Sequence, residues 1–107
     1  MFVRARFEVR DGKTADFEQI AQALAQRATD EPGTLTYRWF TAGTNSYIVL
    51  EEYTDETAAM AHNEAAQDLL TQVPNCADMI SAEVYGPKTS AWAENNPQVT
   101  LHPDLSR

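Results

Sequence analysis

The sequence predicts an α+β domain of the ferredoxin-like type, β-α-β-β-α-β, in which a four-stranded antiparallel sheet carries two helices on one face. Three observations predict it. Residues 2–10 alternate strictly, with Val3, Ala5, Phe7 and Val9 in one set and Arg4, Arg6, Glu8 and Arg10 in the other, the period-two pattern of a half-buried strand. Two later stretches place apolar residues at helical spacing and stop at prolines, Pro32 and Pro74. The segments around them are short, rich in Thr, aromatic and β-branched residues, and separated by turn residues.

The elements follow in order. Asp11-Gly12-Lys13 turns the chain after the first strand. Thr14 is placed to cap a helix over about 14–29, with Asp16 and Glu18 at its positive end. Phe17, Ile20, Ala21, Leu24, Ala25 and Ala28 form its apolar stripe. Strands follow over 34–41 and 46–53, joined by Ala42-Gly43-Thr44-Asn45 as a hairpin connection. Thr54 or Asp55 caps a second helix reaching about Gln72, whose stripe reads Ala58, Ala61, Ala65 and Leu69. Ala77 to Tyr85 alternates again and makes the fourth strand. Residues 1–86 form the domain. Residues 87–107, with Pro87, Pro97 and Pro103, form a C-terminal tail, expected to dock on its own or a partner subunit through Trp92, Val99 and Leu101.

Length and charge narrow the function. A chain of 107 residues forms one domain. The net charge of −8 leaves no surplus of Lys and Arg to neutralise phosphates, which argues against nucleic-acid binding. No apolar run approaches the ~20 residues of a membrane span, and no signal-type apolar region follows Met1, so the expected location is cytoplasmic and no membrane partner is expected. One cysteine, Cys76, and two distant histidines, His62 and His102, offer no spaced ligand set, so no metal site is expected.

The sheet faces point to assembly. Val3, Ala5, Phe7, Ile48, Leu50, Ile80, Ala82 and Val84 read as the set buried under the helices. The opposite set mixes Arg4, Arg6, Arg38, Glu8, Glu51 and Glu83 with Phe40, Tyr47, Val49, Met79 and Tyr85. That face is more apolar than a wet surface and carries complementary charges, as a subunit interface does.

Three segments carry a family resemblance. Glu31-Pro32-Gly33-Thr34-Leu35-Thr36-Tyr37 resembles the EPG-x-x-x-Y junction of the antibiotic biosynthesis monooxygenases. Glu51-Glu52-Tyr53-Thr54-Asp55, followed by Ala61-His62, resembles that family's run from third strand into second helix. Glu83-Val84-Tyr85-Gly86-Pro87 resembles the end of the fourth strand in members with a longer tail. The resemblance implies a homodimeric α+β barrel, a pocket between sheet and helices, and oxygenation of electron-rich aromatics with O2 and no cofactor. Haem-degrading relatives carry an Asn on the first strand; none occurs between Phe2 and Arg10.

Such chemistry needs a base to deprotonate a phenol and a dry pocket to hold the anion beside O2. His62 is the expected base, because its ordinary pKa lies near neutrality, with Tyr53 approaching from the sheet as second catalytic residue. Tyr37, Trp39, Glu51 and Asn63 are the expected substrate-binding residues. The alternative is a non-catalytic dimeric barrel that binds a small hydrophobic ligand, in which His62 and the aromatics only order the fold.

Overall fold

The computed structural model describes residues 1–105, and the last two residues of the tail lie outside them. Five strands and four helices follow in the order β1 (Phe2–Val9), α1 (Thr14–Ala28), β2 (Thr34–Thr41), β3 (Ser46–Tyr53), α2 (Glu56–Ala65), α3 (Gln67–Leu70), β4 (Ala77–Gly86), α4 (Ala91–Asn95) and β5 (Val99–Pro103); a 3-10 turn, Val73–Asn75, precedes β4. The sheet order is β2-β3-β1-β4-β5. The first four strands are antiparallel, as the sequence pattern requires. The fifth was not expected: β5 runs parallel to β4, with Ala82 opposite Val99 and Gly86 opposite Pro103. Residues 87–98 are the crossover that a parallel pair needs, and α4 is its helix.

Asn45, at φ 57°, turns the hairpin between β2 and β3. Its Oδ1 accepts from the Thr14 hydroxyl at 2.8 Å. Thr14 is thus the first residue of α1 and tied to the hairpin, and Lys13 holds the capping position instead. Asp55 does cap α2, its carboxylate accepting from the Ala58 amide at 2.9 Å.

Register corrects the expected faces. Val3, Ala5 and Phe7 stand beside Glu51, Val49 and Tyr47, so in β3 it is Tyr47, Val49, Glu51 and Tyr53 that face the helices. Ile48 and Leu50 face the other way, and Leu50 is exposed. Both sets of β3 are apolar, so alternation alone could not choose between them. A bulge in β4 opposite Arg6 and Phe7 changes the parity there as well. It turns Met79 inward beside Phe7 and leaves Ile80 exposed.

The outer face therefore carries Phe2, Phe40, Leu50 and Ile80, all exposed. The charged residues expected there remain, apart from Glu51: Arg4 pairs with Glu83 at 2.6 Å, and Arg38 lies over the Phe40 ring at 5.1 Å.

The second helix also departs from its expected form. It breaks at Ala66, which is fully buried, and its buried residues are Ala59, His62 and Ala66, at i, i+3 and i+7. The expected stripe of Ala61 and Ala65 is exposed. The buried face lies one position further along, and that rotation carries His62 from the helix flank into the interior.

Under α1 the inner face is filled. Phe17 meets Tyr47 at 5.0 Å, Trp39 edge-on at 5.5 Å and Phe7 at 6.0 Å between ring centroids. Under α2 the layer is hollow, and this hollow is the candidate site.

Candidate active site

A cavity of about 590 Å³ lies between the sheet and the helices α2 and α4. Its floor is the apolar inner face, with Val3, Ala5, Val49 and Val84. Its roof holds Ala59 and His62 from α2, and Tyr37, Trp39, Glu51 and Tyr53 close its sides.

His62 is 2% exposed. Its Nδ1 lies 2.6 Å from Oε1 of Glu31, and Glu31 stands outside the cavity lining. A carboxylate in this position can accept a proton from Nδ1, and in that tautomer the ring's lone pair is on Nε2. The Tyr37 and Tyr53 rings flank the imidazole at centroid distances of 5.0 and 5.7 Å.

Local sequence explains why Glu31 and His62 meet. Gly33 follows Glu31 by two residues, and a Cβ on it would come within 2.5 Å of the Ala58 Cβ. Only glycine lets the first turn of α2 sit this close to the start of β2. Ala58 and His62 are one turn apart on the same side of the helix, so the contact at Gly33 brings the ring to the carboxylate.

A second carboxyl, Glu51, also lines the cavity. The Tyr53 hydroxyl donates to Glu51. Burial raises the Glu51 pKa above the ordinary carboxyl range, opposed by the Tyr53 hydrogen bond and by the positive charge that His62 can carry. Burial also raises the Tyr37 and Tyr53 hydroxyls, with Glu51 adding to both, so both stay neutral and serve as hydrogen-bond donors. The Trp39 Nε1 is buried without a hydrogen-bond partner. The cavity thus combines a fixed imidazole, a carboxyl inclined to hold its proton, and neutral donors on an apolar ground.

All six residues selected from the sequence line this one cavity: His62, Tyr53, Tyr37, Trp39, Glu51 and Asn63. Asn63 stands at the rim and is exposed. Sequence reasoning missed Glu31, although it opens the EPG segment, because nothing in a linear pattern says which carboxylate reaches a histidine thirty-one positions later. It also missed Met60 and Trp92, exposed residues of the cavity's lining. Among the described residues, no group of three or more His, Cys, Asp or Glu side chains is arranged to hold a metal.

The sequence model described as "Antibiotic biosynthesis monooxygenase" matches residues 1–78. The chain belongs to this family. It is 33% identical over 66 residues to the Bacillus subtilis (strain 168) protein named "Putative monooxygenase YcnE", a match spanning 60% of this chain and 70% of that one. Among solved structures, MupZ from Pseudomonas fluorescens superposes with a TM-score of 0.81 at 19% identity, covering 99% of this chain and 89% of that one. SnoaB from Streptomyces nogalater, described as a cofactor-independent oxygenase, superposes with a TM-score of 0.69 at 18% identity, covering 84% and 94%. At these identities the structures establish the fold. The MupZ superposition takes in the α4–β5 extension, which the family's sequence model does not reach.

Proposed function

We propose that this protein is a cofactor-independent monooxygenase that oxidises a quinol-like or polyphenolic aromatic with O2 inside the cavity. The observation that carries this reading is the Glu31–His62 pair: a buried imidazole, paired through Nδ1 with a carboxyl at 2.6 Å, lines an aromatic-walled chamber. His62 Nε2 removes the phenolic proton. The phenolate then donates one electron to O2, and the resulting pair of radicals joins as a peroxide on a ring carbon. Loss of water from that peroxide leaves a carbonyl. For 1-naphthol the balance is naphthol plus O2 giving naphthoquinone plus water, with no outside reductant. Tyr37 and Trp39 donate hydrogen bonds to the anion, and Glu51 holds the proton that leaves with the distal peroxide oxygen. The name of SnoaB supports the same class of reaction.

The protein acts as a homodimer in this reading. Phe2, Leu50, Ile80 and Phe40 leave apolar surface bare on the outer sheet face, at a cost of about 25 cal/mol per Å² of apolar surface kept wet. Packing two such faces together covers it. Light scattering at micromolar concentration is expected to give the dimer mass, and a monomer mass removes this part of the proposal.

Oxygen uptake by metal-free protein with hydroquinones and naphthols tests the chemistry. Uptake above the autoxidation rate, lost in His62→Ala, is the expected result. Binding without uptake leaves a carrier of small hydrophobic molecules.

A further inference from the structure

The crossover between β4 and β5 brings into the cavity a residue that the fold itself does not use. Its ends are tied down: the Ala82 amide donates to the Gln98 carbonyl at 3.1 Å, and the Asp104 amide to the Gly86 carbonyl at 3.0 Å. Its helix is held too. The Ser90 hydroxyl caps α4 by accepting from the Ala93 amide at 3.2 Å, and the Asn96 side chain donates to the Trp92 carbonyl at 2.9 Å. Ala93 packs on the Val84–Val99 cluster. The backbone of Trp92 is therefore fixed, yet its side chain is 38% exposed. Among the described residues it joins none of the buried apolar clusters. A tail docked by its tryptophan would bury the indole. Here Ala93, Val99 and Leu101 do the docking, and the indole lines the cavity with Met60 of α2, itself 69% exposed.

We propose that Trp92 is a specificity-determining residue: its indole is a preset stacking face for a fused-ring aromatic ligand, supplied by an extension that lies beyond the family's matched segment. The inference rests on reading the cavity as a site for aromatic phenols. A cavity of about 590 Å³ falls within the ~300–1,000 Å³ of sites that enclose multi-ring ligands. A single ring held by the Glu31–His62 pair sits deep under α2, whereas a second fused ring extends toward the exposed lining and meets the indole. Met60, unbranched and exposed, adapts to the ring's outer edge.

The test is calorimetric binding of 2-naphthol and of hydroquinone, both without oxygen, to wild type, Trp92→Phe and Trp92→Ala. Stacking of this kind is worth about tenfold in affinity. Trp92→Ala is expected to weaken 2-naphthol about tenfold and hydroquinone less than about twofold, with Trp92→Phe between wild type and Ala. The melting temperature is expected to stay within about 2 °C of wild type, because the indole packs into no cluster. A second measurement needs no ligand. Trp39 is the remaining tryptophan in both variants, and its quenching by acrylamide is expected to be greater in Trp92→Ala, where the wall is gone, than in Trp92→Phe. Equal 2-naphthol affinity in wild type and Trp92→Ala overturns the proposal, as does equal loss for one-ring and two-ring ligands, or no 2-naphthol binding at all. Selective loss of 2-naphthol without any oxygen uptake upholds the role of Trp92 and instead overturns the oxygenase reading.

Discussion

Two halves of the same inner layer were built to opposite plans. Under α1, Phe7, Phe17, Trp39 and Tyr47 interlock at centroid distances of 5.0 to 6.0 Å, and Phe17 and Leu24 are almost entirely enclosed. Under α2, the residues facing the sheet are Ala59 and His62, and what they leave is a cavity. Ala59 meets the sheet only at Val3 and Tyr53; side chains this short leave the rest of the layer unfilled, and the missing contacts are a cost to the fold. The filled half supplies the stability that the hollow half forgoes. Apart from Trp39, which belongs to both halves, mutations in the two halves should read out on different instruments.

The widest separation is expected from Phe17→Ala and His62→Ala. Phe17→Ala should cost about 3–5 kcal/mol of stability, the range for a large buried aromatic, measured by urea unfolding. His62→Ala should lower turnover about 10²–10⁴-fold while costing no more than about 1–3 kcal/mol, the penalty of leaving Glu31 without its partner. A His62→Ala protein with unchanged turnover per folded molecule would break the comparison and return the histidine to a structural role.

Glu31→Gln sharpens it. The amide still fills the space, but it can present its NH2 to Nδ1 and so favour the wrong tautomer. Turnover is expected to fall about tenfold or more, with the acid limb of the pH–rate profile displaced and KM little altered. A change in melting temperature alone, with an unmoved pH profile, would make Glu31 a packing residue.

The smallest effect concerns Glu51, and it has a sign. Burial raises its folded-state pKa, so its favourable contribution is complete below the unfolded value of about 4.5 and is lost as pH rises through the folded pKa. Glu51→Gln keeps an acceptor for Tyr53 and removes the ionisation. It should raise the melting temperature by a few degrees at pH 8, and the gain should vanish near pH 4. A gain that persists at pH 4 would show that the buried carboxyl is not its source.

These particulars also show where the sequence was legible. Strict alternation in β1 and the stripe of α1 follow from one residue's relation to the next, and both were readable. The parity of β3 was not, because Ile48 and Leu50 are as apolar as Tyr47 and Val49; pairing with β1 decides it. The face of α2 was not, because an alanine-rich helix has several nearly equal stripes, and Gly33 against Ala58 selects one. The six candidate side chains were nevertheless gathered by residue type and motif, since two histidines, one of them in the tail, and a few aromatics leave little choice. Glu31 escaped because its role depends on a contact across the layer. The fifth strand escaped because Val99 to Pro103 is short and ends in proline, and only the edge of β4 makes it a strand.

That fifth strand has a consequence for how the molecule survives at high concentration. Without it, β4, ten residues long and apolar along its middle, would present its unpaired amides and carbonyls at the margin of the sheet. Such a margin is a template on which another chain can add and fibres can grow. β5 replaces it with a margin half as long that ends in Pro103, a residue with no amide to offer. A chain cut after Gly86 would keep its antiparallel core and still lose solubility over time, by growth from β4 rather than by unfolding.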